Sequence, residues 1–151
     1  MNNLIKHNLK DHILKITLNN ESHQNTLSLD VINYLIQLIE NAHNNKEVNV
    51  IILSSSGKVF SAGHNLKEIN SHRSDKDKGL QYFTTLINCC SDLMLKIINN
   101  SKPVIAEING IATAAGCQLV ASCDLAYASN SSQFATPGVN IGLFCSTPMV
   151  A

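Results

Sequence analysis

Apolar and polar residues alternate along His12–Asn19, HILKITLN, which predicts a strand with one buried face. Asn20–Asn25 is a polar turn, and Ser28 is placed to cap a helix over Leu29–His43. Ile32, Leu35, Ile39 and Ala42 recur at spacings of three and four, so that helix has one buried face. Asn44-Asn45 ends it, and Val48–Leu53 predicts the next strand. Gly57–Glu68, GKVFSAGHNLKE, then reads as a Ser-Ala-Gly turn entering a short helix. The polar stretch SHRSDKD, residues 71–77, reads as a mobile surface loop. Leu80, Phe83, Ile87, Cys90, Met94 and Ile97 predict a core-facing stripe along a helix that Asn99–Pro103 stops. Pro103–Ile108 is a short, apolar, β-branched run and predicts a buried strand. Ala112–Gly116 carries almost no side-chain bulk, and Leu119, Val120 and Cys123 follow on one helical face. After Asp124 come two short strands, Leu125–Ala128 and Gln133–Ala135, and a turn at Pro137-Gly138. Strands and helices in alternation, joined by short turns, predict a layered α/β fold. Residues 1–151 contain no linker and no low-complexity tract, so they are read as one domain.

Composition narrows the functional classes. Hydrophobic residues make up 44% and charged residues 15%, as in a soluble globular protein. Lys plus Arg and Asp plus Glu balance at 11 each, which argues against a nucleic-acid partner. No apolar run reaches membrane-span length, and MNNLIKHNLKDH lacks the apolar core of a secretion signal. Five cysteines without a C-x-x-C pair, Cys145 among them, read as reduced, mostly buried thiols. The expected location is therefore intracellular: cytoplasmic if bacterial, the mitochondrial matrix if eukaryotic. Six scattered histidines lack ligand spacing, so no metal site is expected.

The two small-residue turns carry the candidate chemistry. A turn without bulk at a helix start exposes backbone N–H groups that have no intrahelical partner and favour negative charge. The same small residues also permit close helix–sheet packing, and either use fits one turn alone. Two such turns in one small domain can aim two N–H groups at one oxygen, as an oxyanion hole requires.

FSAGHNLKE, followed by AEINGIATAAGCQLVASCDLAYAS, resembles the crotonase (enoyl-CoA hydratase/isomerase) superfamily. That family shows an F-x-A-G-x-D-[IL]-K-E loop and then an N-G-x-A-x-G-G-G-x-[EQ]-L-x-x-x-C-D segment. The tail FATPGVNIGLFCSTP narrows the resemblance to one group close to crotonase whose chemistry is poorly defined. The resemblance implies a spiral of ββα units that continues into further helices beyond residue 151. It implies an acyl-CoA thioester as partner, with coenzyme A entering as part of the substrate and no separate cofactor. It also implies a homotrimer or hexamer once the C-terminal part is supplied.

By the same resemblance, the oxyanion donors fall on the backbone N–H groups of His64 and Ala115. Ala62, Gly63, Asn65, Leu66, Gly116 and Gly138 line the substrate. Ala115 stands at a family glycine and serves if its φ stays negative. The His64 imidazole is expected to be exposed and idle. Asn65 stands where many members carry Asp, and both can cap a helix. The two family glutamates fall on Gln118 and Gly138, neither of which exchanges protons near neutral pH. Glu107 and Asp124 read as structural. His23–Leu27, HQNTL, lacks the basic residue often found before N-A-L, which predicts a weaker grip on the CoA phosphates. These residues leave two functions open: an enoyl-CoA hydratase-like enzyme of fatty-acid or related acyl-CoA metabolism, or a non-catalytic CoA-binding or oligomer-interaction remnant.

Overall fold

In the computed structural model, which describes residues 4–142, the chain begins with a strand that no alternation announces. Ile5–Lys10 (β1) pairs antiparallel with Ile13–Leu18 (β2) through the two-residue turn Asp11-His12. Both turn residues have positive φ, 51° and 63°, the backbone that lets a tight hairpin follow the strand twist. Only Ile5 of β1 is buried, so the strand is held by its ladder and not by an apolar face.

Ser28 caps the first helix, α1 (Leu29–Asn44): its Oγ accepts the Val31 N–H at 3.3 Å. Ile32, Leu35, Ile39 and Ala42 are buried on it as the spacing predicts, joined by Val31 and Leu38. β3 (Val50–Ser55) starts two residues later than the apolar run does and pairs parallel with β2. The chain then runs through β4 (Val59–Ser61), α2 (Leu66–Ser71), an exposed 3-10 turn at His72–Ser74, and α3 (Leu80–Ile98). β5 (Val104–Ile108), β6 (Ile111–Thr113) and α4 (Ala115–Ala121) follow. β7 (Leu125–Ala128) and β8 (Gln133–Ala135) come next, then a 3-10 segment at Pro137–Ile141.

From β3 onward the strands alternate between two sheets. One has the order β1-β2-β3-β5-β7 and the other β4-β6-β8, all parallel except β1 with β2. From β3 each turn of the chain therefore lays one strand in each sheet and then a helical segment. This is the spiral of ββα units that the resemblance implies. β6 lies within a stretch read as a structureless turn: Ile111–Thr113 is too short and small for a hydrophobic pattern to mark it.

The stripe along α3 needs correction. Leu80 and Ile87 are exposed, and Leu86 and Leu93 are buried beside Cys90, Met94 and Ile97. The buried positions begin only at Leu86, so the first turns of α3 lie outside the core. Lys96 on its later half reaches Glu40 of α1 at 2.6 Å. Of the cysteines, Cys90 is buried, Cys89, Cys117 and Cys123 are half-buried, and all four are free thiols. Cys145 lies outside the described residues.

Candidate active site

The first candidate turn is built from its neighbours inward. Asn25 is buried, and its Nδ2 donates to the carbonyls of Ser56 at 2.9 Å and Val59 at 2.7 Å. Its Oδ1 accepts the Asn20 N–H at 2.7 Å. Ser61 is also buried; its Oγ donates to the Asn25 carbonyl at 2.9 Å and accepts the Gly63 N–H at 3.2 Å. Ala62 N–H donates to the Gln24 carbonyl. Gly63 has φ 83°, a backbone that its missing side chain allows. The motif reading passed over Asn25 and Ser61. Their signal is chemical: a small amide and a hydroxyl beside a turn whose backbone groups need partners.

Leu27 and His64 form a parallel bridge. Leu27 N–H donates to the Gly63 carbonyl at 2.8 Å, and Asn65 N–H donates to the Leu27 carbonyl at 3.4 Å. In that pattern the peptide groups of His64 face away from Leu27. Among the described residues, His64 N–H has no acceptor. Asn65 caps α2, its Oδ1 accepting the N–H groups of Lys67 and Glu68 at 3.1 and 3.3 Å, as expected of a residue in place of Asp. Leu66, at 74% exposure, presents its side chain to solvent.

The second turn has a different backbone. Ala114 takes φ 49° and ψ −123°, a conformation ordinarily left to glycine. Its N–H donates to the Ala135 carbonyl, and its own carbonyl accepts the N–H groups of Cys117 and Gln118. Ala115 is buried and keeps a non-positive φ, so the condition for replacing glycine there is met. The N–H groups of Ala115 and Gly116, the first two of α4, find no acceptor among the described residues.

The two turns touch. A Cβ on Gly63 would lie 3.0 Å from the Ala114 Cβ and 3.1 Å from the Ala115 nitrogen. A Cβ on Gly116 would lie 2.4 Å from the Ser61 carbonyl oxygen. Close packing and backbone donors without an acceptor thus occur in the same turns: the missing side chains let the two backbones approach. Gln118 is half-buried on α4, and Gly138 is half-buried in the 3-10 segment that follows β8. Glu107 and Asp124 are in structural use. Glu107 pairs with Lys15 at 2.6 Å, and Asp124 accepts the Val104 N–H at 2.7 Å.

The His64 imidazole departs from expectation. It is not exposed: its Nδ1 is shut off from solvent and has no hydrogen-bond partner. Burial holds its pKa below the ordinary 6.5, while the Leu27 carbonyl and the Glu68 carboxylate pull it partly back. Glu68 Oε2 and Tyr82 Oη are likewise shielded from solvent, and the two side chains interact with each other. Burial first, and then Glu68, push the Tyr82 phenol up to about 12. The His72 ring stacks on Tyr82 at 3.8 Å, and His72 Nδ1 lies 2.8 Å from Asp75. The polar loop read as mobile is therefore tied to α3 by its first residues. Glu68 closes the FSAGHNLKE motif but carried no expected role, and Tyr82 lies in no motif.

A chain of this fold, with this pair of turns, belongs to the enoyl-CoA hydratase/isomerase family, whose description matches residues 8–150. It is 49% identical over 142 residues to enoyl-CoA hydratase domain-containing protein 3, mitochondrial, of Rattus norvegicus, covering 94% of this chain and 46% of the relative. The protein of that name from Xenopus laevis is 52% identical over 139 residues, again with 46% of its length covered. This is the group to which the tail after β7 pointed. The crystal structure of the human protein 3 superposes with a TM-score of 0.87 at 47% identity, over 97% of this chain and 56% of that one. The chain spans about half the length of the curated relatives it matches.

Proposed function

We propose that this chain is the thioester-binding half of an acyl-CoA enzyme of enoyl-CoA hydratase/isomerase type. The N–H groups of His64 and Ala115 receive the thioester oxygen as it takes on negative charge. The observation behind this reading is that two turns packed against each other each hold a buried or half-buried residue whose N–H lacks an acceptor among the described residues. Such donors stabilise an enolate because they are already oriented when charge develops. Coenzyme A comes as part of the substrate, and the reading calls for no metal. A mitochondrial address is extended from the relatives' names, while a role in fatty-acid or related acyl-CoA metabolism and a trimeric or hexameric assembly belong to the proposal alone.

The measurement is calorimetric. An acyl-CoA thioester should bind at least about tenfold more tightly than the matching S-alkyl CoA thioether, which lacks the carbonyl oxygen, since two net hydrogen bonds are lost. Equal affinities would remove the oxyanion hole from the reading. One observation favours the second reading, a CoA-binding remnant without catalysis: neither Gln118 nor Gly138 is acidic. Turnover on a panel of acyl-CoAs, measured beside binding, separates the two.

A further inference from the structure

We propose that Ser61 is a positioning residue of this site: it aims the His64 N–H and sets its distance from the Ala115 N–H. This rests on the thioester reading above. Neighbouring side chains of a regular strand point to opposite faces. Phe60 and Ser61 are nonetheless both fully buried, and the ladder between β4 and β6 shifts register between Val59 and Ser61. Irregularities of that kind re-aim a side chain. A hydroxyl turned inward must find partners there.

It finds two. Ser61 Oγ donates to the Asn25 carbonyl at 2.9 Å and accepts the Gly63 N–H at 3.2 Å. The bond it donates makes the same oxygen a better acceptor. Asn25 lies two residues before Leu27, whose N–H donates to the Gly63 carbonyl at 2.8 Å. Gly63 is thus held through its N–H by Ser61 and through its carbonyl by Leu27. Both ties are needed, because a glycine has the freedom to turn either peptide elsewhere. The Gly63–His64 peptide is planar and trans, so its N–H points opposite to its carbonyl. Holding that carbonyl on Leu27 therefore aims the His64 N–H away from Leu27.

The same residue meets the second turn. A Cβ on Gly116 would lie 2.4 Å from the Ser61 carbonyl oxygen and 2.9 Å from the Ser61 Cβ, so the start of α4 rests against Ser61. Ser61 also pairs with Ala112 in the ladder, three residues before Ala115. One residue therefore holds Gly63 by its hydroxyl and abuts Gly116 by its main chain and Cβ. Gly63 and Gly116 adjoin the two donor residues, His64 and Ala115, in the chain.

The test compares an acyl-CoA thioester with the matching S-alkyl CoA thioether by calorimetry on the full chain. In folded Ser61→Ala, thioether affinity should hold within about twofold, while the preference for thioester falls from about tenfold to about threefold, the share of one misaimed donor in two. Ser61→Cys keeps the size and a weak donor and acceptor, so it should retain more of the preference than Ser61→Ala. Circular dichroism checks each fold. Hydrogen exchange followed by NMR adds a wild-type readout: the Gly63 amide should be protected in the free protein. The wild-type preference in folded Ser61→Ala, or equal losses for both ligands, would overturn the proposal. So would a Gly63 amide that exchanges as freely as an exposed one, even if no variant folds. A wild type that binds thioester and thioether equally would instead remove the reading beneath the proposal.

Discussion

Single residues show where this chain departs from what its motifs lead one to expect. Ala114 holds φ 49° and ψ −123° with a side chain in place, and such backbone costs roughly 1–3 kcal/mol. Ala114→Gly should therefore raise stability by about 1 kcal/mol in a urea titration, because relief of strain outweighs the added freedom of the unfolded chain. His64 sets a second expectation. Its folded pKa is lowered, so the unfolded state binds the proton more readily. Its contribution is present above the unfolded value of 6.5 and is lost as pH falls through the lower folded value. Melting temperature should drop through that window, and the drop should be smaller in His64→Gln. At 118 and 138 the chemistry is decided by residue type alone. Gln118→Glu combined with Gly138→Glu should gain crotonyl-CoA hydration over a wild type that shows little, provided the variant still folds and binds thioester. Robust hydration by the wild type would contradict this.

Elements meet here through missing side chains. The start of α4 sits so near β4 that a Cβ on Gly116 would overlap the Ser61 carbonyl, and backbone cannot swing aside as a side chain can. Gly116→Ala should cost about 1–3 kcal/mol in stability and should also weaken thioester binding, because relief of the clash moves the Ala115 N–H away from Gly63. Loss of stability with unchanged binding would show that the two turns are not geometrically coupled. Asn25 does the corresponding work on the other side. It ties β4 and the loop before it to the chain ahead of α1 with three hydrogen bonds from one amide.

For the whole molecule, the exposed edges matter most. β7 and β8 end their respective sheets, and Leu125, Tyr127 and Phe134 on them, with Val139 just after, are each more than half exposed. Edge strands with large apolar side chains invite pairing with another chain or segment. The polypeptide 1–151 expressed alone should self-associate in sedimentation velocity, and Leu125→Ser with Phe134→Ser should reduce that association. A monodisperse wild-type monomer with a reversible, cooperative melt would speak against this account.

The sequence by itself determined the helices and most strands. α1 falls where the 3.6-residue period places it, because burial of one face leaves a local record, and β7 and β8 fall on their expected ranges although every residue of both is exposed. The two turns and the non-acidic residues at 118 and 138 were also legible, since each is a matter of residue type and spacing. Only the tertiary structure decided the rest. β1 and β6 exist through ladders to β2, β4 and β8, and a ladder leaves no hydrophobic pattern in its own residues. The half of α3 that reaches the core depends on where α1 ends, which α3 does not encode. The burial of His64 against Leu27 requires the segment before α1 to meet the turn before α2, and no local pattern carries that contact.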